Sequence, residues 1–269
     1  MLFRSDVVVV SEDAYQHVFD QDDDLLFIGH DFLFYLWDNE EKIKRWQSYS
    51  QKHKLWLWCF ERIDAIVPQW RQKSHVSVSI ASKFCERILA CDEDDCDKYG
   101  FDWLPQWASK KFYDRRGVQP SSGKILFSGQ AGGPEYHMRN SMLESIAKDD
   151  DLSRHIEITN TRRTFSWDDY IDNLLKHDVI LNPIGILRAM NTRSFEALYS
   201  GRILLQNTSG RYRRHEEFLK DQQGIVFFEK IDDVKRKIIN REYEKGSPED
   251  AYTNHSLYAR MKSIGIDLE

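Results

Sequence analysis

The chain has 269 residues, of which 41% are hydrophobic and 13% aromatic. That composition excludes wholesale disorder, and the length suits one large domain or two modest domains with sizeable cores. The formal net charge of −6 argues against a general, sequence-independent nucleic-acid binder. No long uncharged apolar run and no signal-peptide core occur, and the four cysteines form no CxxC pair. We therefore predict a cytoplasmic protein with reduced cysteines and without a membrane span.

Short apolar runs alternate with longer amphipathic stretches in the first half of the chain. The runs lie at residues 6–10, 24–29, 55–60 and 87–92. Each run is continuous rather than alternating, which is typical of parallel strands that are buried on both faces. The amphipathic stretch at residues 32–49 predicts a helix. An alternation of strands and helices predicts an α/β fold.

The same pattern restarts after a polar segment at residues 115–123, which contains a proline and two glycines. We predict that this segment is an interdomain linker. The strands predicted after it are 124–129, 155–158, 178–183, 203–206 and 224–228, and the helices are 139–146, 167–175, 192–200 and one from residue 232. The sequence thus predicts two doubly wound domains that face a cleft, with ligands bound at the carboxyl ends of the strands.

One strand–loop–helix stretch carries residue types that suit a phosphorylated sugar ligand. A predicted strand ends at Asn182, and Asn191 or Thr192 can cap the helix that follows. A helix start offers free N–H groups to an anion, and Arg193 adds a cation with planar donors. The Glu196 carboxylate does not suit a phosphate, but it can accept two hydrogen bonds from a sugar diol. The alternative is a surface helix in which Glu196 pairs with a nearby arginine.

Residues 193–205 (RSFEALYSGRILL) resemble the R-x-F-E-A-L-A-x-G-x-x-x-L block of GT-B glycosyltransferases. They look most like the CgeB-type group, which is related to glycosyltransferase families 1 and 4. Other blocks follow in the family's order: the glycine turn at 124–129 with Tyr136 and Arg139 after it, the stretches 167–182 and 224–238, and the strand at 99–105 before the domain crossover. The resemblance covers residues 85–240.

The resemblance implies a GT-B architecture of two Rossmann-like domains. Residues 1–118 would be the acceptor domain and residues 119–240 the nucleotide-sugar domain. Residues 241–269 would form a helical segment of the kind that crosses back to the first domain in similar enzymes.

The activity implied is transfer of a sugar from a nucleoside-diphosphate sugar, with UDP as the guessed nucleotide, to an unidentified hydroxyl. No metal and no covalently bound cofactor are expected. In the family, the residue at Glu196 holds the ribose, and Arg193 and the helix start face the diphosphate. The glycine at Gly129 lets the backbone approach the donor, and Arg139 assists the departing phosphate. The implied donor-binding set is Gly129, Arg139, Asn182, Asn191, Thr192, Arg193 and Glu196.

The acceptor side is less defined by the sequence. An inverting enzyme needs a base on the first domain, and His30, Asp31 and Glu61 follow predicted strands. The alternative for each of these three residues is that it caps a helix or lies on the surface, because such residues also follow strands. Trp70 and Trp107 are candidate platforms for an acceptor ring. A glycan, a protein, a small molecule and a modified DNA base stay open as acceptors, as does the oligomeric state.

Two alternatives remain. The family's second acidic residue, about eight positions before the first, is missing from residues 186–189 (ILRA), which favours a non-catalytic GT-B relative that binds a nucleotide or a partner. Asp92, Glu93 and Asp94 form a DxD triplet of the kind that GT-A transferases use to hold manganese. The competing interpretation is that this triplet lies in a solvated loop, because acidic triplets arise by chance in so acidic a chain.

Overall fold

The computed structural model describes residues 25–29, 39–60, 62–63, 78–133, 136–160, 166–183, 185, 190–208 and 213–267. The predicted strand at 6–10 and the candidates His30, Asp31, Glu61 and Trp70 lie outside this part. The fold is α/β with two parallel sheets. The described residues up to Pro105 form one compact unit, and those from Gln106 to Ile266 form a second. No helix in this part of the chain is long and apolar enough to span a bilayer.

The first unit is built on a four-stranded sheet of order β1-β2-β3-β4, in which every pair is parallel. Its elements are β1 (Leu25–Gly29), α1 (Glu40–Ser50), β2 (Lys54–Cys59), β3 (Arg87–Ala90), α2 (Glu93–Tyr99) and β4 (Asp102–Trp103). The strands predicted at 24–29, 55–60 and 87–92 are confirmed. Ile28, Leu57 and Ile88 from three strands bury against Trp46 of α1, which explains why each run is apolar.

Helix α2 is the element of the first unit that the sequence analysis missed. Its residues are mostly acidic and show no apolar periodicity. The helix begins because the Asp92 carboxylate accepts hydrogen bonds from the N–H groups of Asp94 and Asp95, at 3.0 and 3.3 Å. It ends at Gly100, whose φ of 71° is readily adopted only by glycine.

The second unit is built on a five-stranded parallel sheet of order β6-β5-β7-β8-β9. Its elements are α3 (Lys110–Asp114), β5 (Ser122–Gly129), α4 (His137–Lys148), α5 (Asp150–His155), β6 (Ile156–Asn160), α6 (Trp167–Leu175), β7 (His177–Asn182), α7 (Thr192–Tyr199), β8 (Ile203–Asn207), α8 (Arg213–Phe218), β9 (Ile225–Phe228), α9 (Ile231–Asn240), α10 (Pro248–His255) and α11 (Leu257–Ser263). The strands and helices predicted for this half are confirmed to within a few residues at their ends.

Helices cover both faces of this second sheet. Successive residues of β5 point to opposite sides. Leu126 packs in a cluster with Leu174 of α6 and Phe195 of α7. Phe127 packs in another cluster with Ile146 of α4 and Ile238 of α9. The continuous apolar runs of the sequence therefore have the predicted cause, which is burial on both faces.

The segment predicted as a linker lies inside the second unit. Phe112 of α3 is fully buried in the cluster of α6 and α7, and Arg202 Nη2 donates a 2.6 Å hydrogen bond to Val118 O. The compact units consequently divide after Pro105, earlier than the predicted boundary after residue 118. At the C-terminal end, α10 packs on α7, and the Tyr199 hydroxyl donates to His255 O at 2.5 Å. The acceptor and donor roles assigned to the domains stay predictions.

Candidate functional site

The strand order of the second sheet locates its ligand-binding edge. The chain runs from β5 outward to β6 and then returns to β7 on the other side of β5. Parallel sheets bind ligands at such a switch point, beyond the carboxyl ends of the two strands. Gly129 ends β5, Asn182 ends β7, and α7 begins at Thr192. The donor-binding residues predicted from the sequence thus meet at this edge.

A network of neutral polar side chains holds the start of α7 against the strand ends. Asn182 Nδ2 donates to Ser194 Oγ and Gln206 Oε1, both at 2.8 Å. Ser194 Oγ also donates to Gln206 Oε1 at 2.8 Å. All three side chains are buried. Sequence reasoning missed Ser194 and Gln206, although a glutamine that ends an otherwise apolar strand run is a detectable signal.

The start of α7 differs from the predicted cap. Asn191 occupies the N-cap position but makes no side-chain hydrogen bond to the helix start. Its amide instead donates to Asn182 Oδ1 at 3.4 Å. Thr192, the first residue of the helix, is exposed. Ser194 N donates to Asn191 O at 3.0 Å, whereas the N-cap side chain leaves the N–H groups of Thr192 and Arg193 uncapped.

Glu196 lies inside the second unit rather than on a surface helix. Its side chain is 4% exposed, as part of a buried run from Ser194 to Tyr199, so the surface-helix alternative is wrong. Glu196 Oε2 accepts a 2.5 Å hydrogen bond from the hydroxyl of Tyr170 on α6. Burial raises the pKa of the Glu196 carboxyl, whereas the Tyr170 hydroxyl and the charge of Arg193 lower it.

An exposed aromatic ring packs on Tyr170, the hydrogen-bond partner of this carboxylate. Trp167 is 47% exposed, and its ring stacks on Tyr170 with centroids 5.5 Å apart. The fully buried ring of Phe112 contacts the same indole edge-on at 5.8 Å. Two aromatic neighbours therefore fix the orientation of a tryptophan that still reaches solvent.

Arg193 occupies the space beside Gly129. A Cβ atom at Gly129 would collide with the Arg193 guanidinium. This guanidinium also lies over the Phe127 ring at 5.6 Å and donates from Nη1 to Asn182 Oδ1 at 3.0 Å. The glycine at the end of β5 thus leaves room for the Arg193 guanidinium, and the predicted approach of the backbone to the donor stays a prediction.

Arg139 is held in a similar way, and its guanidinium lies 5.8 Å from the centroid of the same Phe127 ring. Its side chain is 5% exposed, and Nη1 donates to Gln130 O at 2.7 Å. A Cβ atom at Gly185 would collide with its guanidinium, which lies 5.0 Å from the Tyr136 ring centroid. Burial, and then the charge of Arg193, lower the pKa of Arg139 to about 10.

The two guanidinium groups have no counter-charge in direct contact. Neither Arg139 nor Arg193 forms an ion pair with an acidic side chain within the described ranges, and the charge of Arg193 acts on the Glu196 carboxyl only from beyond ion-pair distance. The Nε atoms of both, and the buried hydroxyl of Ser128, have no hydrogen-bond partner there. Keeping like charges close together inside a protein is costly unless an anion neutralises them. The arrangement is suited to bind a multiply charged anion.

The other predicted site residues are not part of this cluster. Asp92 is fully buried as the cap of α2, not in a solvated loop. Asp94 pairs with Arg62 at 3.1 Å, and Asp95 accepts from Ile63 N at 2.7 Å. No group of three potential metal ligands occurs within the described ranges. Trp107 is half-buried between β4 and α3.

No family model matches the chain, and a search of curated proteins finds no match.

Proposed function

We propose that the chain is a metal-independent GT-B glycosyltransferase that moves a sugar from a nucleoside-diphosphate sugar to a hydroxyl acceptor. The observation that carries this proposal is the pair formed by Arg139 and Arg193, whose charges interact and whose Nε atoms have no hydrogen-bond partner in the described structure. A diphosphate supplies the negative charge that this pair lacks. UDP is the guessed nucleotide.

The diphosphate would lie between the two guanidinium groups and the N–H groups of Thr192 and Arg193 at the start of α7. Negative charge develops on the diphosphate as the glycosidic bond breaks. Fixed cations and an aligned helix start stabilise that charge without reorganising. The Asn182 amide network keeps Arg193 in place, so the site is organised before the donor binds.

The nucleoside would extend from the diphosphate toward α6. Glu196 would accept hydrogen bonds from the ribose hydroxyls, because a carboxylate oxygen has lone pairs left after accepting from Tyr170. The exposed face of Trp167, next to Tyr170, would stack on the base. The acceptor base on the first domain stays a prediction, with His30, Asp31 and Glu61 as its candidates.

Two other functions are compared with this one. A non-catalytic nucleotide-binding protein needs the same arginine pair, and the absence of an acid in residues 186–189 favours it. A GT-A transferase would need Asp92 and Asp94 at a manganese ion. In the described structure Asp92 caps α2 and Asp94 pairs with Arg62, which disfavours that alternative.

A thermal-shift panel tests the proposal. The ligands are UDP, GDP, ADP and CMP with their common sugar conjugates, each with manganese and with EDTA. A ligand in large excess over its dissociation constant raises the melting temperature by several degrees. We expect a shift with one nucleoside diphosphate that survives EDTA and disappears in Glu196→Ala. Turnover of the sugar conjugate would separate an enzyme from a binding protein, and no shift with any nucleotide would refute the donor site.

A further inference from the structure

A second pocket lies at the opposite edge of the second sheet, where β5, β7 and β8 begin. Its volume is about 170 Å³. The floor is apolar and consists of Ile125, Val179, Ile203 and Ile238. The rim is polar and carries Lys124, His155, Asp178, Arg241, Tyr243 and Lys245. Because all strands of this sheet are parallel, the pocket is separated from the arginine pair by the length of the strands.

The rim has an excess of positive charge. Lys124, Arg241 and Lys245 are cationic, and Asp178 is the one carboxylate in the lining. Lys245 Nζ lies 2.9 Å from Asp178 Oδ1, so this pair is neutral. Neither Lys124 nor Arg241 has an ion pair with a carboxylate in the described part of the chain. The rim therefore keeps two uncompensated positive charges, with His155 beside them.

The backbone at Arg241 is a second, independent feature. Arg241 ends α9 with φ 54° and ψ 39°, and it is the non-glycine residue with positive φ in the described ranges. Glycine is the usual residue at such a helix end, because the Cβ atom of any other residue makes this backbone conformation unfavourable. The Arg241 guanidinium extends back to the start of β5, where Nη2 donates to Gly123 O at 2.6 Å. The unfavourable backbone thus places a guanidinium at the pocket rim, and such outliers are concentrated at binding sites.

We propose that this pocket binds a phosphoryl dianion, as inorganic phosphate or as a small phosphate ester. The two uncompensated cations match the charge of a dianion. Arg241 keeps N–H donors that are not used by Gly123, and its planar fork suits phosphate oxygens. The apolar floor can hold the body of an ester, and a cavity of this size holds a molecule about as large as benzene.

Isothermal titration calorimetry at constant ionic strength tests this site. The ligands are inorganic phosphate, glycerol 3-phosphate and glycerol, with sodium chloride as the ionic control. Each titration is repeated in Arg139→Met, because phosphate is also a fragment of the ligand proposed for the arginine pair. We expect phosphate to bind Arg139→Met as tightly as the wild type and glycerol not to bind. Tighter binding of the ester than of phosphate would identify the ester as the ligand, and the reverse would identify the free ion.

Two variants remove the rim cations, and one matched variant does not. Arg241→Gly deletes the guanidinium but retains a residue that favours the left-handed backbone, so it is expected to fold at least as stably as the wild type. Phosphate affinity should fall about tenfold in Arg241→Gly and in Lys124→Ala, and stay unchanged in Lys237→Ala, an exposed cation on α9 outside the lining. Unchanged affinity in both rim variants, or binding that disappears in Arg139→Met alone, would overturn the proposal.

Discussion

Replacing Arg139 by methionine should make the free protein more stable and should abolish its response to a nucleoside diphosphate. Most substitutions of a buried residue destabilise, so the first expectation is unusual. It follows from a guanidinium that is 5% exposed and makes no ion pair in the described structure. Methionine retains an unbranched apolar stem of similar reach and removes the charge.

The size of the gain follows from the pKa of Arg139. Burial and the charge of Arg193 lower this pKa from 12.5 to about 10. At about 1.4 kcal/mol per pKa unit, the charged form costs roughly 3 kcal/mol in the folded state. The cost is fully present at pH 7, because it disappears only as the pH rises above about 10. The lost hydrogen bond to Gln130 O and the contact with Tyr136 offset about 1–2 kcal/mol of the gain.

Urea denaturation at pH 7, followed by circular dichroism, measures this difference. We expect a net stabilisation of about 1–2 kcal/mol, which is within the range for exchanging a buried ion for an apolar group. Arg202→Met is the matched control. Arg202 is 4% exposed, but its guanidinium donates to the carbonyls of Val118, Leu175 and Ser200. That variant should be destabilised because buried carbonyls lose their donors. If Arg139→Met loses as much stability as Arg202→Met, Arg139 is a structural residue and the reasoning fails.

Three further changes have definite expected outcomes. Gly129→Ala should weaken nucleotide binding at least tenfold in calorimetry, because the added methyl displaces the Arg193 guanidinium. Tyr170→Phe should lower the free energy of unfolding by about 1–3 kcal/mol in urea titrations, because the buried Glu196 loses its hydroxyl donor. His255 has a pKa lowered to about 3 by burial and by the charge of Arg260. The free energy of unfolding should therefore reach its full value above pH 6.5 and fall by about 1.4 kcal/mol per pH unit below pH 6.5. The His255→Gln variant should lack this slope.

A control variant and three contradicting results distinguish these specific effects from a general loss of stability. Gly117→Ala adds a methyl group in open space and should leave nucleotide binding unchanged. Equal affinities of Gly129→Ala and the wild type would show that the position of Arg193 does not matter. Wild-type stability of Tyr170→Phe would show that the hydroxyl does not support Glu196. The same acid slope in His255→Gln and the wild type would assign the slope to another group.

The sequence predicted the sheets because burial on both faces leaves a direct trace in it. Residues 203–205 are apolar because β8 is buried along its length, and α6 matches its predicted bounds of 167–175. Helix α2 was missed because its acidic residues give no apolar period. An aspartate followed by three acids is nevertheless the signature of a capped helix start.

The contacts inside the site were less accessible to sequence reasoning. The residue types at Arg193 and Glu196 indicated a phosphate and a diol. The packing of Arg193 on Gly129, and of Arg139 on Gly185, joins positions that are far apart in the chain. Such pairs depend on how the ends of β5 and β7 diverge, and no local pattern encodes that divergence.

The most direct test of the central claim is a calorimetric titration of nucleoside diphosphates in EDTA against the wild type, Arg139→Met and Glu196→Ala. The account predicts that one nucleoside diphosphate binds the wild type and that both variants lose this binding while remaining folded. Absence of binding by every nucleoside diphosphate, or equal binding by all three proteins, would contradict it.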